Sequence, residues 1–260
     1  MSANSLPQAR SFYDEVYQAT GYAADAEDVE TYRGRIEEMS HYTGFDGLTL
    51  EIGCGAGLMS RMSPGYVGID ISWTALRGKE YMGAVSSADT LPFPGNTFDN
   101  IFSYHMLEHI ERPELVLEEI ARVSKPGGVI YLKPAWNCRS WNNKKLIRKP
   151  YSILPFREKI EKALIPIRGS VALRGLIALP KRLAADVFYA VSGKHTRLKY
   201  GRLTPNYEYD RYWISDADAV VSIDPHELIW FFKSRGYKII SHSTLLKRLF
   251  ARSEGVAITR

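Results

Sequence analysis

Cysteine is scarce in this chain: Cys54 and Cys138 are the only two in 260 residues. Two thiols cannot build a disulfide framework, so a reducing, cytoplasmic setting is the expectation. No run approaches the ~20 apolar residues needed to cross a bilayer, and the first residues show no apolar leader core, so neither a spanning segment nor a signal peptide is expected. Internal repeats are absent. The dinucleotide fingerprint G-x-G-x-x-G is also missing, because Leu58 follows Gly57 where the last glycine would have to be delayed by one. Acidic residues are rare in one segment: residues 138–212 hold 17 Lys/Arg against 5 Asp/Glu, from chain totals of 34 and 29. The rest of the chain is therefore acidic, and the basic stretch points to a polyanionic partner, either membrane or nucleic acid.

What is present begins with an ordinary globular balance, 45% apolar and 24% charged, enough for one large core or one domain with an insertion. Residues 48–57 read Leu-Thr-Leu-Glu-Ile-Gly-Cys-Gly-Ala-Gly. An apolar strand ends beside an acidic residue and turns on three alternating glycines, which let a ligand approach the backbone closely. Residues 66–71 read as a second strand ending at Asp70, where a carboxylate can accept from a ribose diol. Strands are predicted at 48–52, 66–71, 99–104 and 128–133, with a short crossover helix after Gly57. A helix is predicted from Pro113 to Val123, and a turn at Lys125-Pro-Gly-Gly128. Strand alternating with helix implies a parallel sheet covered on both faces. Residues 1–45 read as one or two helices broken at Gly21 and Gly44, with Phe12, Tyr13, Tyr17 and Tyr32 as apolar surface. Near the end, Asp224 reads as a helix N-cap with Pro225 and Glu227 behind it, Gly236 as the stop, and two strands near 237–243 and 255–260 as the finish.

The order of these motifs across residues 45–134, and again from Ile223 to Ile240, resembles the ubiquinone/menaquinone-biosynthesis-like branch of the class I S-adenosylmethionine-dependent methyltransferases. The resemblance implies an α/β, Rossmann-like, doubly wound, mostly parallel seven-stranded sheet. It implies S-adenosylmethionine as cofactor, with an N-terminal helical lid over residues 1–45. By the same resemblance, Gly53, Cys54, Gly55 and Gly57 would lie under the methionine part, and Glu51 would anchor the loop or the amino group. Asp70 would bind the ribose hydroxyls and Ile71 would rest on the adenine. Asp89 would accept from the adenine amino group, flanked by Ala88 and Thr90, and Ser103 would complete the cofactor set. The methyltransferase domain is expected over 1–134 and 214–260, with 135–213 as a largely helical basic insertion.

Within that insertion, Leu173, Leu176, Ile177, Leu183, Val187, Phe188 and Val191 recur at helical spacing, interrupted by Pro180. Cationic residues lie among them. Such a helix can rest on an anionic membrane, or it can cap the active site with its apolar face on the core and its charges in water. Residues 200–213 interleave Tyr200, Tyr207, Tyr209, Tyr212 and Trp213 with Glu208, Asp210 and Arg211, followed by Asp216 and Asp218. Aromatic faces beside carboxylates suit a sugar ring, or the segment packs a loop onto the sheet.

An alcohol acceptor must lose a proton as it attacks, so a general base is sought. His105 and His109 follow the fourth strand and are four apart, on one face if that segment is helical. No third metal ligand is evident, so no metal is assigned. His226, in a helix first turn, reads as structural. The Asn/Asp-Pro-Pro-aromatic turn of amino-directed DNA methyltransferases is absent, and neither cysteine sits as a pyrimidine C5 enzyme requires, which demotes nucleic acid as substrate. The expected reaction is O-methylation of a cell-envelope glycan, a glycolipid or a lipid-linked intermediate, with the enzyme peripheral on the inner face of the membrane through 138–212. A quinone-ring methyltransferase and a non-catalytic cofactor sensor are the alternatives. Oligomeric state is not legible.

Overall fold

The computed structural model describes residues 5–19, 29–192 and 195–260. Gly21, expected as a helix break, lies outside them. The strands are β1 (Leu48–Ile52), β2 (Gly65–Asp70), β3 (Met82–Val85), β4 (Phe98–Tyr104), β5 (Ser124–Lys133), β6 (Tyr200–Arg202), β7 (Val221–Ile223), β8 (Lys238–Ile239) and β9 (Val256–Thr259). Seven form one sheet in the order β3-β2-β1-β4-β5-β9-β8, and β6 and β7 pair separately. The first five are parallel, and β9 runs antiparallel between β5 and β8. This is the doubly wound, mostly parallel sheet, with one reversed strand at the late edge.

Helices α1 (Ser5–Ala19) and α2 (Val29–Ser40) precede the sheet, and α3 (Trp73–Leu76) and α4 (Pro113–Val123) fall inside it. Helices α5 (Ser140–Asn143), α6 (Phe156–Gly169) and α7 (Val171–Ser192) belong to the basic segment, and α8 (Pro225–Lys233) and α9 (Leu245–Leu249) close the chain. Alternation along the strands sets the two faces. Leu50, Ile52, Val67, Ile69, Ile101 and Ile130 share one core with α4 and α8. Tyr66, Phe102, Tyr104 and Tyr131 share the other with Met39 of α2.

Three local expectations give way. No helix forms between β1 and β2. Instead Gly57, Ser60 and Met62 each donate to the carbonyl three residues back, so a run of tight turns fills the connection. Lys125-Pro-Gly-Gly128 lies inside β5, as a bulge where the register jumps from Phe98↔Ser124 to Asn100↔Val129. Gly127 takes φ +79 there and donates to the Arg260 carbonyl. Pro180 does not interrupt α7, which runs through it; the break comes at Ser170, where α6 and α7 bend by 69°. Proline lacks a donor and crowds the preceding turn, but α7 is pinned just beyond it by the buried Arg182, Asp186 and Tyr189. The helix after β7 starts as expected: Asp224 accepts from the His226 amide at 2.9 Å, with Pro225 at the first position.

Candidate active site

The carboxyl ends of β1, β2 and β4 open on a crevice lined by Ile52, Gly53, Ile69, Asp70, Ile71 and Ala88. Glycine is required in its floor. Gly53 has φ +74, and a Cβ there would sit 2.7 Å from Met106 Cγ; Gly55 and Gly57 also have positive φ. Asp70 terminates β2 and ties the loops together. One carboxylate oxygen accepts from Gly55 N–H at 2.8 Å and the other from Ser72 N–H at 2.9 Å. Each oxygen keeps a lone pair for a diol. Burial raises the Asp70 pKa against the pull of those amides.

Helix α1 roofs the crevice with Leu6 and Tyr13. Three consecutive residues hold it down. Phe12 lies against Tyr207 and Trp213, with ring centroids 5.3 and 5.5 Å away. Tyr13 Oη donates to Asp218 at 2.6 Å, and Asp14 accepts from Ser72 Oγ at 2.6 Å. Phe12 and Tyr13 thus fasten α1 over the crevice; the Tyr17 side chain lies outside the described residues. The aromatic-acidic segment spends its rings on the lid and on the loop. Tyr209 packs on Trp213, and the fully buried Lys145 pairs with Asp210 at 3.1 Å.

The other expected cofactor residues are placed as follows. Glu51 is buried on the opposite face of β1 and accepts from Tyr66 Oη; burial pushes its pKa up to about 8. Cys54 is buried beside Tyr81, its Sγ 3.8 Å from the hydroxyl. Ser103 is buried under the floor and donates to the Ile52 carbonyl at 2.8 Å. These three support the floor without lining the crevice, because strand alternation and burial turn their side chains inward. Asp89 accepts from Ser87 Oγ at 2.6 Å at the margin, and Thr90 is exposed. Ser86, Ser87 and Ile110 also line the crevice; no motif marks them, although Ser86 and Ser87 immediately precede Ala88 in sequence.

His105 and His109 do not share a helix face. His105 sits in a left-handed turn at φ +48, and a single 3-10 turn spans Leu107–His109. Both face the fully buried Glu108: His105 Nδ1 is 3.7 Å and His109 Nε2 is 3.8 Å from Oε1. His109 Nδ1 is 3.2 Å from Asp218. Burial pulls the His109 pKa down, but Asp218, Glu108 and Asp216 outweigh it and raise it. The Glu108 pKa is lowered, with the two histidines overcoming burial. A third ligand does exist in space: His105, Glu108 and Asp216 bring ligand atoms within 4.8 Å of one another, a donor set able to hold a divalent cation. Asp216 lies more than 100 residues away in sequence, so no spacing could reveal it. His226 is buried and its Nε2 meets Asp186 at 3.0 Å, a structural contact.

Residues 50–132 match the family model described as "Methyltransferase domain". The chain is 31% identical over 149 residues to an uncharacterised methyltransferase of Schizosaccharomyces pombe, covering 47% of this chain and 53% of that one. Against a ubiquinone biosynthesis O-methyltransferase of Chelativorans it is 32% identical, covering 34% and 40%. Against one of Albidiferax ferrireducens it is 28% identical over 207 residues, covering 72% and 75%. Over residues 50–132 the chain is a methyltransferase domain of the class I, S-adenosylmethionine-dependent kind. It spans about half the length, or less, of the first curated relatives that it matches.

The crevice fits S-adenosylmethionine in kind. A strand-end carboxylate with spare acceptors suits the ribose. Ile71, Ala88 and Ile110 suit a flat adenine, and Gly53 leaves backbone bare where a Cβ would collide. The free space is about 120 Å³, below the ~300 Å³ at which small-molecule pockets begin. In this conformation α1 covers the crevice with Leu6 and Tyr13.

Proposed function

We propose that this methyltransferase O-methylates a lipid-linked acceptor at an anionic membrane surface. One observation carries the reading: α7 is inside out for a soluble cap. Its buried stripe is polar, Arg182, Asp186 and Tyr189, while Leu176, Ile177, Val187, Phe188 and Val191 are 59–81% exposed. The polar stripe is fully engaged. Arg182 pairs with Asp224 at 2.8 Å, and Asp186 accepts from Trp230, His226 and Arg248. Among the described residues nothing covers the aliphatic stripe, and Phe156, Ile160 and Ile167 extend it along α6. An exposed apolar face flanked by Arg157, Lys159, Lys162 and Arg168 suits the interface of an anionic bilayer. Among the described residues no single helix is long and apolar enough to cross one. A cap would have its apolar face on the core, which is the reverse of this arrangement.

When bound, the cofactor supplies an electrophilic methyl on a sulfonium. The chain's own residues orient the acceptor and manage its proton. His105 borders both the crevice and the large cavity beside α7, so an acceptor hydroxyl there can hand its proton to the imidazole. His109, held toward its charged form by Asp218 and Glu108, positions Tyr13 and the lid instead. His105→Ala should cut turnover about 100-fold or more with S-adenosylmethionine affinity kept, and His109→Ala should weaken cofactor affinity as well.

A quinone-ring acceptor is the second reading, favoured by the names of the ubiquinone-pathway relatives. Flotation with phosphatidylglycerol vesicles, followed by methyl transfer from labelled cofactor into a membrane extract, tests both. Failure of the intact chain to float would remove the membrane reading, and label found only in quinone would select the second.

A further inference from the structure

A cavity of about 760 Å³ lies beside the cofactor crevice and meets it at His105. Its walls come from α7, from the loop after β5 and from the loop between α9 and β9. It is strongly cationic. Arg139, Arg168, Arg174, Lys181 and Arg252 line it, and among the described residues none of these has a carboxylate at ion-pair distance. The two other cations of the wall are already satisfied, Lys133 by Glu38 and Arg182 by Asp224. Asp224 is the single acidic residue of the wall, and Arg182 neutralises it.

The arginines are positioned rather than scattered. The guanidinium of Arg139 lies 5.5 Å and that of Arg168 5.1 Å from the ring centre of the buried Trp141. That stacking fixes two forks on one indole. Arg174 and Lys181 are seven apart, two helical turns, and so project from one side of α7. Arg139 is half buried, and both burial and the like charges of Arg174 and Arg168 press its pKa down. Like charges gathered this way repel unless an anion lies between them. On the α7 side the wall is aliphatic, with Val171, Leu173 and Ile177 leading onto the exposed stripe of α6 and α7.

We infer that this cavity binds the phosphate or diphosphate group of the lipid-linked acceptor, with the hydrocarbon leaving along the α6–α7 stripe and the methylated hydroxyl held at His105. The inference rests on the membrane-surface reading above. It narrows that reading: a neutral quinol gives five unpaired cations nothing to hold, whereas an ester dianion can be gripped by paired N–H forks.

Isothermal titration of the full chain in non-ionic detergent, with farnesyl diphosphate, farnesol and inorganic diphosphate as probes, tests it. Farnesyl diphosphate is expected to bind about tenfold or more tighter than farnesol, and Arg174→Gln to remove about tenfold of that, in line with charge-assisted hydrogen bonds. S-adenosylmethionine affinity should be unchanged in the variant. Arg139→Gln gives a second reading of the same loss, and Arg174 is exposed, so its replacement leaves the fold intact. Equal binding of farnesol and farnesyl diphosphate, or wild-type affinity in both variants, overturns the inference. Inorganic diphosphate binding as tightly as farnesyl diphosphate also overturns it, in favour of a soluble phosphate ester. Vesicle flotation of the same preparations separates the two failures. Flotation with no preference for farnesyl diphosphate removes this inference alone. Loss of both, with cofactor binding retained, removes the membrane reading too.

Discussion

Asp70 braces two loops and still faces the crevice. Asp70→Asn keeps one acceptor oxygen and loses the other, so cofactor affinity should fall about tenfold, measured calorimetrically. Unchanged affinity would assign Asp70 to loop bracing only. Glu51 makes a pH prediction. Burial raises its pKa from an ordinary 4.5 to about 8, so between those values the folded state holds a proton that the unfolded chain releases. Stability must therefore fall as pH rises through that window. Glu51→Gln is permanently neutral and should melt higher than wild type at pH 8 but not at pH 4.5, with about 2–4 °C for each kcal/mol recovered. An identical difference at both pH values would show that Glu51 does not titrate there.

At the scale of the element, α7 has a polar face packed on the protein and an exposed aliphatic face. Arg182 is buried, donates to the carbonyls of Leu249 and Ala251 at 2.6 and 2.8 Å, and pairs with Asp224. Arg182→Ala strands that carboxylate and two carbonyls, at a cost of about 3 kcal/mol, readable in urea unfolding. Ile177→Glu with Val191→Glu lies on the opposite stripe, 66% and 81% exposed. That double variant should melt with the wild type and lose vesicle flotation. A lower melting temperature would mean that the stripe packs on the protein after all. Helix α1 is the other element with two tasks. Phe12→Ala frees it from Tyr207 and Trp213, and should speed both entry and loss of cofactor in stopped-flow binding.

For the whole molecule, one crevice, one cationic cavity and one apolar stripe follow each other around His105 and α7. The doubly wound sheet supplies the crevice, and the basic segment supplies the other two. The charge asymmetry of the sequence thus becomes a directed surface. Vesicle binding should weaken but persist as salt rises from about 0.15 M to about 1 M, because the Debye length contracts from about 8 Å to about 3 Å while apolar insertion is untouched. Complete release at high salt would leave electrostatics as the sole attachment.

The sequence by itself determined what is local. The strand ends, the glycine floor, the span Pro113–Val123 and the Asp224 cap are each set by residues within a few positions, so they could be read directly. It also determined that α7 is amphipathic, since periodicity defines two faces. Only the tertiary structure decided which face is covered: Asp224, which caps α8, and Glu227 and Trp230 of α8 supply partners to the polar side. Likewise Asp216 and Asp218 join the histidines, and Arg139 meets Arg168 and Arg174, through contacts between distant parts of the chain. Periodicity carries no information about such contacts, because it reports a segment's preference and not the neighbour that satisfies it.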